Sequence, residues 1–115
     1  MTPCQTINNL EENIFIAGSR QVLEFECLGS DGLPIDLTTS TTKLLLSPFG
    51  NPSYTVLIKD GTVFDTNKFS VVFEKADTVN LRGLYSFQPL IIDVLSKEHR
   101  PAQGTIQIQE AIKQV

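Results

Sequence analysis

Few side chains in this sequence have the type and spacing that chemistry requires. His99 is the sole histidine among 115 residues, and it lies in the charged run Lys97-Glu98-His99-Arg100, where an imidazole is solvated and has no nucleophile beside it. No serine or cysteine occupies a G-x-S-x-G elbow. Neither G-x-x-x-x-G-K-[ST] nor G-x-G-x-x-G occurs, so the backbone cradles that hold phosphate are not encoded. Asp31, Asp36, Asp60 and Asp65 all fall at or beside turn signals. Their oxygens could in principle meet as a calcium site built from two loops, but turn chemistry explains them more simply, and no ligand spacing is recognisable. These residues describe a chain that is not an enzyme and that holds no cofactor and no metal.

What remains is contact. Phe49, at the tip of Pro48-Phe49-Gly50-Asn51-Pro52, stands outside the strand alternation that most phenylalanines obey. It either folds back on the core or meets a partner. Ile7 and Leu10 are the apolar anchors of an otherwise polar opening stretch. Ile7, Leu10 and Phe49 are therefore the candidate partner contacts. Trp is absent, which leaves few aromatic platforms for sugar stacking.

Charge narrows the partners. Nine Lys and Arg against thirteen Asp and Glu give a net charge of −4, with no basic block, and nucleic-acid binding needs a concentrated basic patch. No stretch approaches the roughly 20 apolar residues that cross a bilayer. The start, Met1-Thr2-Pro3-Cys4-Gln5, lacks the basic-then-apolar order of a signal peptide, so a protein made in a cytoplasm and staying soluble is expected, with no nucleic acid and no membrane as partner. Two cysteines are too few for a disulfide framework, and their spacing matches no zinc motif. Cys27 alternates with Leu23 and Phe25 and is expected as a small core residue. Cys4 is expected in a tail.

The elements that position these residues are strands. Residues 1–12 form an expected extended arm, and residues 13–115 one domain. Leu23, Phe25 and Cys27 alternate against Glu24 and Glu26, and Phe69, Val71 and Phe73 against Ser70 and Glu74, as half-buried strands do. Gly104 to Glu110 places Ile in and Gln out. Between Ile58 and Val63 the pair Asp60-Gly61 is a hairpin signal, because a type I′ turn needs φ > 0 at both central positions. Asp77 is placed as the cap of one short helical turn near 77–82 that ends at Gly83. Tyr85, Phe87 and Ile91 share a face of the longest apolar segment, in which Pro89 points to an edge or a bulge. The total is six to eight short strands with turn signals every eight to twelve residues, the pattern of an all-β two-sheet sandwich or small barrel.

The order of four pieces resembles the N-terminal, immunoglobulin-like domain of phage baseplate upper proteins. They are Leu23-Glu24-Phe25-Glu26, then Asp31-Gly32-Leu33-Pro34-Ile35-Asp36-Leu37-Thr38, then Leu81-Arg82-Gly83-Leu84-Tyr85-Ser86-Phe87, and finally Gly104-Thr105-Ile106-Gln107-Ile108. The resemblance covers about residues 14 to 112. It implies an immunoglobulin-like sandwich of antiparallel strands in a structural virion protein, assembled in the host cytoplasm, docking to other phage structural proteins and to copies of itself. Members of that family usually continue into a helical linker and a second domain, whereas this sequence ends at Val115, so its position as baseplate, tail, neck or head component is open. A carbohydrate-binding or adhesion sandwich is the second expectation.

Overall fold

A computed structural model describes residues 4–6, 14–29, 31–100 and 103–112. Their strands are β1 (Cys4–Thr6), β2 (Ile14–Ile16), β3 (Gln21–Cys27), β4 (Thr41–Pro48), β5 (Leu57–Asp60), β6 (Thr62–Phe64), β7 (Lys68–Phe73), β8 (Gly83–Ile92), β9 (Glu98–His99) and β10 (Gly104–Gln109), with one helical turn, α1 (Lys75–Thr78). Two sheets face each other, in the orders β1-β3-β7-β6 and β2-β10-β8-β4-β5, and β9 adds to β8. The fold is an immunoglobulin-like β-sandwich.

Alternation builds it. In β3 and β7 every second side chain is buried, and in β10 Ile106 and Ile108 are buried while Thr105, Gln107 and Gln109 are exposed. The inward residues of the two sheets meet as an aromatic cluster. Phe25 stacks on Phe69 with ring centroids 4.9 Å apart, meets Phe87 edge-on at 6.0 Å, and Phe15 meets Phe73 edge-on at 5.1 Å, arrangements worth more than their buried area alone. Gly104 makes room for this packing, since a Cβ there would lie 2.6 Å from the Phe87 ring.

Ten strands occur among the described residues where six to eight were expected: β1 lies in the stretch expected as an arm and β9 in the charged run 97–100, and two runs divide between the sheets. The N-terminal run divides into β1, antiparallel to β3, and β2, which lies parallel to β10; the remaining pairings are antiparallel. The second division corrects the reading of Asp60-Gly61. There is no hairpin there. Gly61 is the corner at which the chain leaves β5, paired with β4, and enters β6, paired with β7. Glycine is required by close approach: a Cβ at Gly61 would lie 2.5 Å from Thr42 Oγ1. The tight turn falls instead at 65–67, where Asp65 and Thr66 take φ of 50° and 60°.

Three further expectations are corrected. Cys4 is not in a loose tail, and Cys27 is more than a core filler: they are directly opposite across β1 and β3 and form a disulfide. Pairing depends on strand register, which cysteine count does not reveal. Pro89 does not mark an edge, since β8 is central and Pro89 lies opposite Leu44. On the other side of β8 the partner changes from β10, paired as far as Phe87, to β9, paired with Ile91 and Ile92. Pro89 falls in that interruption, where a missing N–H is tolerated. Asp77 is the third residue of α1 and not its cap; the helix starts from Glu74, whose N–H donates to Asp77 Oδ2 at 2.7 Å, half of a capping box. The charged run 97–100 is exposed throughout and contains β9.

At the entry to β8, Tyr85 Oη accepts from the Arg82 N–H at 3.1 Å and donates to the Arg82 carbonyl at 3.0 Å. This is the tyrosine corner that fixes the crossing between sheets in immunoglobulin-like sandwiches.

Candidate functional site

The sandwich presents two surfaces built from different segments. The first is the end where β3 stops, β4 starts and β8 turns into β9. There the 28–40 loop, the 65–67 turn and the 93–97 turn come together: Leu37 N–H donates to the Thr66 carbonyl at 2.7 Å and Cys27 N–H to the Asn67 carbonyl at 2.9 Å, while Thr41 lies opposite Ile92. Side chains make these turns rigid. Asp31 Oδ1 accepts from Leu33 N–H at 3.0 Å, and Asp93 Oδ1 accepts from the N–H groups of Leu95 and Lys97, both at 2.9 Å. The other oxygen of Asp93 meets His99 Nε2 at 3.0 Å.

This accounts for the lone histidine: His99 is a fastener of the 93–97 turn. Its hydrogen bond, followed by the Lys97 and Leu95 amides, holds the Asp93 carboxyl below the ordinary range. The carboxylates singled out by sequence are likewise occupied locally. Asp31 closes its own turn, Asp36 accepts from both the hydroxyl and the N–H of Thr38, Asp60 pairs with Lys43 at 2.7 Å, and Asp65 with Lys68 at 3.7 Å. Among the described residues no group of His, Cys, Asp and Glu is arranged to hold a metal ion.

What the rigid turns carry outward is apolar. Leu33 is 62% exposed, Val94 74% and Leu95 72%. Scattered surface apolar residues need no explanation; these three lie on hydrogen-bonded turns at the end where β3 stops and β8 turns into β9.

The second surface is a groove of about 450 Å³ on the outer face of the β2-β10-β8-β4-β5 sheet, between the β4–β5 connection and the segment leading into β10. Ser47 lies opposite Ser86, and Ser86 opposite Thr105, so three adjacent strands each place a hydroxyl in it. Arg100 Nη1 donates to Gln88 Oε1 at 3.3 Å, and Gln88 Nε2 to Gln103 Oε1 at 3.3 Å. Phe49 lines the groove and is 61% exposed, with its N–H anchored on the Leu84 carbonyl at 3.1 Å. Of the three residues expected to meet partners, Phe49 is thus turned outward, while Ile7 and Leu10 lie outside the described residues. The two surfaces do not share a residue among those named. Leu33, Val94 and Leu95 were not singled out from the sequence; the signal available was one apolar residue in the first turn segment and an adjacent pair in the second. Gln88, Gln103 and Arg100 give no local signal at all.

No protein-family model matches the chain, and no curated protein matches it. Solved structures do. The chain is similar to the Lin-41 filamin domain with a TM-score of 0.56 at 14% identity, over 94% of this chain and 91% of that one. It is also similar to the PmoD soluble domain from Methylocystis sp. (TM-score 0.47, 12% identity, 93% of this chain and 88% of that one) and to the SrpA adhesin from Streptococcus sanguinis (TM-score 0.46, 15% identity, 96% of this chain and 59% of that one). At such identity the filamin domain bears on fold alone, and the other two carry no argument.

Proposed function

We propose that this chain is a structural module of a phage particle that acts by docking to other proteins, copies of itself included, without catalysis. The observation that carries the reading is the set of exposed apolar residues, Leu33, Val94 and Leu95, held on hydrogen-bonded turns at one end of the sandwich. Leaving such side chains in water costs roughly 1.5–3 kcal/mol each relative to burial, and because the turns are already ordered, little entropy is lost when a partner covers them.

Two further features support it. The sequence pieces that resemble the baseplate upper protein domain lie on β3, on the 28–40 loop, across the tyrosine corner and on β10, so they are the framework of this sandwich. The Cys4–Cys27 disulfide suits a protein that spends its working life outside a reducing cytoplasm, as virion surfaces do.

The test is sedimentation of the purified chain and of a Val94→Asp/Leu95→Asp variant, alone and with the other proteins of the particle. Concentration-dependent self-association or binding to a particle protein is expected, weakened about tenfold or more in the variant. A chain that stays monomeric at high concentration and binds no particle protein overturns the reading.

A further inference from the structure

The groove beside Phe49 is distinct in chemistry from the loop end. Its floor is a row of hydroxyls, Ser47, Ser86 and Thr105, at successive strands of one sheet face, spaced by the roughly 4.8 Å between neighbouring strands. Beside that row, starting two residues along β8 from Ser86, runs a chain of planar polar groups, Arg100 to Gln88 to Gln103, joined by hydrogen bonds. After these bonds the Gln103 amide nitrogen, the second Gln88 N–H and most of the Arg100 fork still have hydrogens to donate, and the three hydroxyls both donate and accept. On the side of the β4–β5 connection, the Phe49 ring and Pro52 give an apolar wall.

That combination selects a ligand class. A surface of hydroxyls and planar amides matches a molecule whose own groups donate and accept at adjacent positions, and an exposed aromatic ring beside them matches one that also has an apolar face. A pyranose has both: vicinal hydroxyls at its rim and C–H bonds across its plane. The volume, about 450 Å³, falls in the usual range of small-ligand sites, about 300–1,000 Å³. Charge is nearly balanced, because Arg100 is the ionic side chain of the lining and its Nη2 lies 3.7 Å from Glu98. Leu45 lies opposite Gln88 and also lines the groove, so apolar surface adjoins the polar row.

We propose that this groove is a saccharide site that binds a neutral hexopyranose, as one or two units of a glycan chain. Gln88, Gln103 and Arg100 hold the ring hydroxyls, Ser47, Ser86 and Thr105 take those facing the sheet, and Phe49 stacks on the C–H face. The inference does not depend on the docking role, which uses other residues at the end of the sandwich.

The experiment is NMR titration of the labelled chain with the methyl glycosides of glucose, galactose and N-acetylglucosamine, with glucuronic acid as the acidic control. The same titration is repeated on Phe49→Ala and on Gln103→Ala, both at exposed positions and both checked for unchanged melting. Expected are amide shifts centred on Ser47, Ser86 and Thr105 with at least one neutral glycoside, and a loss of affinity of about fivefold or more in each variant, the size of one lost contact. No shift with any neutral glycoside at millimolar concentration overturns the site. So does binding of glucuronic acid alone, or neutral binding that both variants leave intact. Failure here leaves the Val94→Asp/Leu95→Asp result untouched, so the two readings stand or fall separately.

Discussion

Cys4 lies directly opposite Cys27 across antiparallel β1 and β3, and a disulfide joins them with a sequence separation of 23. β1 is three residues long and has a partner on one side only, so its backbone pairing alone is a weak hold on the N-terminus. The covalent bond fixes that strand to a central position of the core, because Cys27 is fully buried and Cys4 nearly so.

Closing a loop of this length stabilises a small domain by about 3 kcal/mol, mainly through the unfolded chain. Cys4→Ala is therefore expected to lower unfolding free energy in urea by about that amount. The same loss is expected for the unaltered chain in a strong phosphine reductant, and none for the variant when the reductant is added.

Tyr85→Phe removes both hydrogen bonds to the Arg82 backbone while keeping the buried ring. The expected loss is about 1–3 kcal/mol, because the Arg82 N–H and carbonyl are left in a partly buried corner with no replacement. Chemical denaturation of the two proteins measures it. The far-ultraviolet spectrum should not change.

Gly61 and Thr42 form a coupled pair at the corner between the sheets. Thr42 is buried, and among the described residues its hydroxyl is the one buried side-chain oxygen without a hydrogen-bond partner. Thr42→Val replaces that hydroxyl by a methyl of similar shape and is expected to leave stability unchanged or raise it by up to about 1 kcal/mol. Gly61→Ala is expected to cost about 1–3 kcal/mol, since its Cβ would press on the same side chain in a site that has no room to relax. Thermal melting of the two single variants and the double variant separates the effects.

Acid should unfold the chain through its aspartates. At Asp77 burial pushes the carboxyl up, but Lys59 Nζ at 2.9 Å and the Glu74 N–H more than offset it, and the net displacement is downward. Asp36, Asp60 and Asp93 are lowered too, by the Thr38 hydroxyl, by Lys43 and by His99 respectively. A carboxylate with a depressed folded value stabilises the fold above its unfolded value, about 3.9, and that contribution disappears as pH falls through the folded value. Stability is thus expected to be level with respect to these groups above about pH 5 and to fall below about pH 4. Asp77→Asn should cost about 1 kcal/mol at pH 7, the worth of a helix-start hydrogen bond, and much less at pH 3. Urea titrations at the two pH values give both numbers.

Much of the sandwich was legible in the sequence because burial in β3, β7 and β10 follows a period of two, and Leu23, Phe25, Phe69, Val71, Phe73, Ile106 and Ile108 are all buried as that period requires. The features that escaped are those set by distant pairing. Asp60-Gly61 has the composition of a hairpin turn, yet its neighbours are claimed by β4 on one side and β7 on the other, so the chain turns a corner instead of reversing. Pro89 speaks against a central strand only if both sides of that strand are continuously paired, and here one side is interrupted. Phe49 was visible as an apolar residue in a turn. The groove it lines was not, because Ser47, Gln88 and Gln103 lie on segments that only the sheet order brings together.

The proposed role in a phage particle is tested most directly by mass spectrometry of purified particles produced from the genome that encodes this chain, with chemical cross-linking before digestion. The chain is expected in the particles at a fixed ratio to other structural proteins, with cross-links from Lys97 or Lys68, beside the 93–97 and 65–67 turns, to a neighbouring protein or to a second copy. Absence of the chain from the particles would contradict the account.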